Sequence, residues 1–157
     1  MPERLSRYFG GSLLVAALLL SSNATAQSSE PNDDGNVRPR VTAADLQIVK
    51  RAQEILSSES KWNRADNRIC PTEAKKVSLY CALQMATIEV GGKAEHRRAA
   101  LQEVRFVIDE IAADRNYKHR LMDYNNDPTT TLADVQEVLR VTESVLKLRL
   151  KGNGVAQ

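Results

Sequence analysis

The chain reads as an all-α protein, a small bundle of four to five helices closed by one intramolecular disulfide. Three observations carry that reading. Apolar residues recur at three- and four-residue spacing in several separate stretches. Capping patterns, Thr42 with Asp45 and Thr131 with Asp134, stand ahead of the first and last of these stretches. No stretch alternates apolar and polar residues in the manner of a half-buried strand, and no internal repeat occurs.

Residues 1–26 read as a secretory signal peptide. Arg4 and Arg7 make a basic start, Ser12 to Leu20 is a short apolar run, and Ala24 and Ala26 supply the small residues that a signal peptidase requires. Cleavage is expected after Ala26. The apolar run is too short for a membrane span, which needs about 20 residues, and no Cys follows it to carry a lipid anchor. The expected location is therefore the periplasm or the extracellular space, with no membrane span after cleavage. Residues 27–40 are polar, with Pro, Gly and paired Asp, and read as a disordered linker. A helical domain over residues 41–151 follows, and residues 152–157 are expected to be a frayed tail.

In the first helix Leu46, Val49, Ala52 and Leu56, with Ile48 beside them, repeat at helical spacing to about Ser58. Residues 62–77 form an irregular stretch with Trp62, Asn63, Asp66, Asn67, Pro71 and the first of two cysteines. Cys70 and Cys81 are the only cysteines, and an oxidising compartment favours pairing them. The pairing bears on where the second helix starts. A helix unbroken from Thr72 would carry Cys81 about 13 Å up its axis, whereas disulfide Cα atoms lie within about 7 Å. A helix over residues 78–90, with residues 70–77 looping back, closes the bridge; the alternative is a longer helix with intermolecular disulfides. Gly91 and Gly92 stop the second helix. A long third helix is expected over residues 94–115, with the stripe Leu101, Val104, Val107, Ile108 and Ile111. It continues, with a break near Asn116, through residues 117–124.

Pro128 makes residues 125–130 a loop. The last helix runs from the Thr131 cap to about Leu150, with Lys147, Arg149 and Lys151 near its negative end. Leu132, Val135, Leu139, Thr142 and Leu146 form one apolar stripe on it, and Val138, Val141, Val145 and Leu148 form another. Together they exceed the width that a surface helix buries. The helix is thus either central to the monomer core or a face for self-association or a protein partner.

Once the leader is removed, 20 basic and 19 acidic residues remain, which argues against a nucleic-acid partner. Scarce aromatics, only Trp62, Tyr80, Phe106, Tyr117 and Tyr124 after the leader, disfavour a carbohydrate cleft. There is no Gly-rich phosphate loop, no G-x-S-x-G elbow and no H-E-x-x-H pair, and no cofactor is expected. Two constellations offer chemistry. Asp123, Asn125, Asp127, Thr129, Thr131 and Asp134 occupy the ligand positions of a helix–loop–helix calcium loop. Against this, Pro128 stands where that loop needs Gly, and Asp134 stands where it needs a bidentate Glu; the same residues also serve as turn and cap residues. His119 and Asp123, four apart, could form an acid–base pair of a hydrolase or two metal ligands. His96 lies about 34 Å away if one helix joins the two histidines, so a two-His metal centre requires the chain to break and fold back.

Basic residues gather at Lys93, His96, Arg97 and Arg98, and again at Arg115, Lys118 and Arg120. They read as a solvated helix face or a seat for an anionic partner. Trp62 either plugs the end of the core or anchors a binding cleft between residues 62–77 and the loop at 125–130, with Asn125, Asn126 and Asp127 opposite. Trp62 after the first helix, Cys81 with Ala82 and Leu83 entering the second, and Asn126, Asp127, Pro128, Thr131, Asp134 and Val135 before the last resemble a family of small bacterial helical domains of unknown function, over residues 44–148. The resemblance implies an all-α fold and no catalytic residues; the leader and Cys70 depart from it. The sequence therefore points to an exported helical protein that acts by binding, as an accessory or inhibitor-like module, ahead of a calcium-binding domain or a hydrolase. The leader makes a direct prediction: mass spectrometry of the protein from its native cells finds Gln27 at the N-terminus, whereas a chain retaining residues 1–26 removes the export reading.

Overall fold

A computed structural model describes residues 38–153, the side chain of the last excepted. The expected signal peptide, residues 27–37 of the linker and residues 154–157 of the tail lie outside the described residues. Five helices and no strand occur among the described residues: α1 (Ala43–Ile55), α2 (Leu79–Gly91), α3 (Ala99–Ile111), α4 (Arg120–Asn126) and α5 (Leu132–Asn153). None is long and apolar enough to cross a membrane. Helix α1 packs against α2, α5 and α3, while α3 also packs on α5 and α4.

Helix α1 starts where its cap predicts. Asp45 Oδ2 accepts from the Thr42 backbone N–H at 2.8 Å and from its hydroxyl at 2.6 Å. Ile48, Val49, Ala52 and Leu56 are fully buried, and Leu46 lies at the margin. The helix ends at Ile55, short of Ser58. Two amides join α1 to α5: Gln136 Nε2 donates to the Leu56 carbonyl at 3.1 Å, and Gln53 Nε2 donates to Glu143 at 3.0 Å. Helix α2 begins after Ser78, whose Oγ accepts from the Cys81 N–H, and stops at Gly92, which takes φ 78°. That left-handed turn carries little penalty for glycine. The Cys70–Cys81 disulfide closes with Cα atoms 5.3 Å apart.

The third helix is shorter than its periodicity suggests, beginning at Ala99 rather than Ala94 and ending at Ile111 rather than Arg115. Its start is set from outside. Asp45 Oδ1, on α1, accepts from the Ala100 N–H at 3.2 Å and from Arg98 Nε at 3.1 Å. A single buried carboxylate therefore caps two helices, satisfying donors that neither helix can satisfy internally. Leu101, Val104, Val107 and Ile108 are buried, but Ile111, the last member of the expected stripe, is exposed. The chain then turns, and the stretch expected to be helical from Tyr117 becomes helical only at Arg120.

On α5 the first stripe lies wholly in the core, while the second grades outward. Val138 is buried, Val141 and Val145 are half-buried, and Leu148 is 68% exposed. The helix runs past Leu150 to Asn153. The fold also begins before Val41, within the expected linker. Arg149 pairs with the fully buried Glu103 and donates to the Pro39 carbonyl at 2.8 Å. Arg38 lies 3.8 Å from Glu103, with its guanidinium 4.6 Å from the Phe106 ring centre. On the chain-entropy model the Cys70–Cys81 loop, of about a dozen residues, contributes on the order of 3 kcal/mol. Denaturant titration of Cys81→Ser should show a loss of that order; an unchanged midpoint would mean the bridge is inessential.

Candidate functional site

The sequence singles out two segments, residues 62–77 and the end of α4 with the loop after it, and the structure brings them together. The first is an irregular loop pinned at its base. Asn63 N–H donates to the Val77 carbonyl at 2.9 Å, and Val77 N–H donates to the Lys61 carbonyl at 2.8 Å. Within it, short polar side chains turn the backbone in place of regular structure. Asn63 Oδ1 accepts from Ala65 N–H, Asp66 Oδ1 from Arg68 N–H and Asn67 Oδ1 from Ile69 N–H, at 3.0, 2.7 and 3.0 Å. Arg68 takes φ 61°, a conformation uncommon for a side chain of its kind.

Helix α4 presents its last two residues to this loop. Asn125 has no exposed surface. Its Oδ1 accepts from the Trp62 indole N–H at 2.9 Å and from the Leu79 N–H at 3.0 Å. Its Nδ2 donates to the carbonyls of Asn63 and Arg64 at 3.0 and 3.1 Å. Asn126 pairs with the Asp66 backbone in both directions, accepting at 2.7 Å and donating at 2.8 Å. Arg64 answers from the loop, donating to the carbonyls of Asp127 and Pro128 at 3.0 and 2.9 Å, with its guanidinium 5.5 Å from the Trp62 ring centre. The gap between the two segments is thus latched shut. Trp62 plugs the end of the core, and the surface left outside is a single composite face.

The remaining candidate residues lie near this latch but do not converge. Asp127 Oδ2 accepts from the Tyr117 hydroxyl at 2.8 Å and from Arg115 at 3.1 Å, while Oδ1 accepts from the Thr129 hydroxyl and N–H. The Thr129 bonds chiefly, with Tyr117 and Arg115, hold the Asp127 carboxyl down at about 2. Burial, and then Asp127 itself, pushes the Tyr117 phenol up to about 12. Asp134 completes the Thr131 cap, accepting from its N–H and hydroxyl, and its carboxyl is lowered by that hydroxyl first. Asp123 accepts from the backbone N–H of His119 at 2.8 Å rather than from its ring. Residues 123–126 are helical, so the connection between α4 and α5 is five residues long, where a calcium loop would span twelve. Among the described residues, no group of three or more His, Cys, Asp or Glu side chains is placed to hold a metal ion.

The two histidines are a correction to the single-helix spacing. Because the chain breaks between α3 and α4, His96 and His119 line one small cleft, with Arg68, Tyr80, Arg105 and Arg120. The Tyr80 and His96 rings meet edge to face, and Arg105 lies 3.1 Å from His96 Nε2. Three guanidinium groups make the cleft a poor seat for a metal cation and a better one for an anion. In the sequence Asp66 is one polar residue of the irregular stretch, and Arg64, two residues after Trp62, does not stand out. Their roles rest on contacts with residues some sixty positions away, and the only local signal is the run of Asn and Asp that marks successive turns.

Residues 40–145 match the model of a family of unknown function, DUF6197, and the chain belongs to that family. The resemblance read over residues 44–148 is borne out to that extent. Comparison with curated proteins finds no match, and comparison with solved structures finds none. The latch predicts that Asn125→Asp, nearly the same shape, destabilises sharply, because an oxygen then faces the Asn63 and Arg64 carbonyls. A loss of about 3 kcal/mol is expected from lost bonds and an unsatisfied buried charge. A thermal melt matching the native protein would show that the amide is not the fastening.

Proposed function

We propose that this member of DUF6197 is an exported binding module that meets a protein partner through the face built by residues 62–77 and 127–131. The observation that carries the reading is the exposure of Ile69, 68% accessible, on a loop that is otherwise tied down by the Asn125 and Asn126 latch and the Cys70–Cys81 bridge. A lone exposed isoleucine is ordinary on a protein surface. On a loop already held in one conformation it can enter a partner's pocket with little ordering entropy left to lose. Arg64, Arg68, Lys75 and Lys76, all exposed, lie on the same loop and favour an acidic partner surface, which would speed encounter and set register.

The absence of a recognised catalytic motif supports binding over catalysis, and the leader supports export. The second reading is self-association on α5, favoured by Leu148, which stands exposed beside the half-buried Val141 and Val145. One experiment separates them. The tagged full chain is crosslinked in its native cells and recovered alongside Ile69→Asp and Leu148→Asp variants that melt like the native protein. The proposal expects one stoichiometric protein, lost with Ile69→Asp and kept with Leu148→Asp. Recovery of a second copy of this chain, lost only with Leu148→Asp, selects self-association; recovery of nothing overturns both.

A further inference from the structure

A groove of about 340 Å³ opens between the end of α3, the turn after it, α4 and the start of α5. Tyr124 forms part of its wall and is only 5% exposed. Its ring meets that of Tyr117 edge to face, with centres 6.3 Å apart. The Tyr117 hydroxyl is committed to Asp127 at 2.8 Å, whereas the Tyr124 hydroxyl has no hydrogen-bond partner among the described residues. Buried tyrosines ordinarily find one. The occluded side-chain oxygens without a partner belong to Asp66, Gln84 and Glu103, so the Tyr124 oxygen is reached from the groove. Burial first, and then the Asp134 carboxylate, push this phenol well above its usual range, so it stays protonated. Asp134 commits Oδ2 to the N–H and hydroxyl of Thr131 and leaves Oδ1 open. We propose that this groove binds a linear aliphatic diamine, with one ammonium held between the Tyr124 hydroxyl oxygen and Asp134 and the other held by Glu137, one helical turn on.

The charge on the wall selects a dication. Three carboxylates, Asp114, Asp134 and Glu137, line the groove against one guanidinium, Arg115, an excess of two negative charges. Carboxylates alone would gather any cation, and the rest of the wall narrows the choice. Among the described residues no group of metal-ligating side chains is placed to hold a metal ion. A phenol oxygen accepts from an ammonium N–H, and aromatic faces attract that charge. Ile111, 49% exposed at the end of α3, gives a methylene stem an apolar wall with Ala112 and the two tyrosine rings. This use accounts for the one member of the α3 stripe that the core leaves out. Asp134 and Glu137 stand three positions apart on α5, so their Cβ atoms lie about 5–6 Å from each other, a gap that a stem of about four carbons spans. Glu137 pairs with Arg140, but both are exposed, and such a pair contributes little. None of these groups belongs to the protein-binding face, which favours an acidic partner; Thr129 borders both. The reading does not depend on a partner being found.

The test is titration of the full chain with diaminobutane bearing an amine at each end, and with three controls. Butylamine lacks the second amine, butanediol lacks both, and magnesium chloride supplies a bare dication. The ring resonances of Tyr117 and Tyr124 and the methyls of Ile111 are followed by NMR at constant ionic strength. The diamine is expected to shift these three residues selectively, with butylamine about fivefold weaker and butanediol and magnesium silent. Tyr124→Phe removes a hydroxyl that bonds to none of the described residues. It should melt like the native protein and weaken the diamine about tenfold. Glu137→Gln should bring the diamine down to the level of butylamine. Silence with the diamine overturns the proposal; equal shifts with magnesium also overturn it and leave an acidic surface that gathers any cation. Native affinity in Tyr124→Phe overturns the hydroxyl contact, and butylamine equal to the diamine overturns the assignment of two charges. If Tyr124→Phe fails to fold, the four-ligand comparison on the native chain still decides.

Discussion

A single buried amide governs where the irregular third of this domain sits. Asn125 offers two acceptor lone pairs and two donor hydrogens, and four partners take them: the Trp62 indole, the first N–H of α2, and the carbonyls of Asn63 and Arg64. No other side chain of that length presents two donor hydrogens and two acceptor lone pairs together. The amide thereby fastens the loop, the start of α2 and the end of α4 to one point, away from water. Each of those groups would otherwise be a buried polar atom without a mate, the costliest defect a small core can hold. The disulfide and the Arg64 clamp then act on a loop whose base is already placed.

What was legible in the sequence follows the range of the forces involved. The starts of α1 and α5 were readable because Thr42 and Thr131 find their partners three residues on. The start of α2 was readable because a covalent constraint on Cys70 and Cys81 ruled out a helix unbroken from Thr72. The start of α3 was not, since its cap is Asp45, more than fifty positions upstream, and periodicity ran on through residues that instead form a turn. The candidate site was half legible. Trp62, Asn125, Asn126 and Asp127 do come together, yet as a latch between the loop and the end of α4 rather than across an open gap.

The calcium-like spacing of residues 123–134 has the same physical origin. Asp, Asn and Thr at short intervals are what a metal loop needs, and also what helix ends and tight turns need, because all three tasks call for oxygens close to the backbone. Here Asp127 serves a turn, Asp134 a cap, Asp123 the head of α4, and Asn125 the latch. Spacing alone cannot separate these uses. The exposed or orphaned groups separate more cleanly, since neither the bare Ile69 nor the unmatched Tyr124 hydroxyl has a structural task left to explain it.

The shared cap at Asp45 reaches beyond stability. One oxygen of its carboxylate closes α1 and the other closes α3, in a place with almost no access to solvent. Neither helix can fray at its first turn without stripping the other of a partner and leaving a charge stranded in the core. The first turns of residues 43–55 and 99–111 are therefore expected to open together, although 43 residues separate the two helices along the chain. A hydrogen-exchange map of this protein would group its amides by that shared carboxylate rather than by position in the sequence.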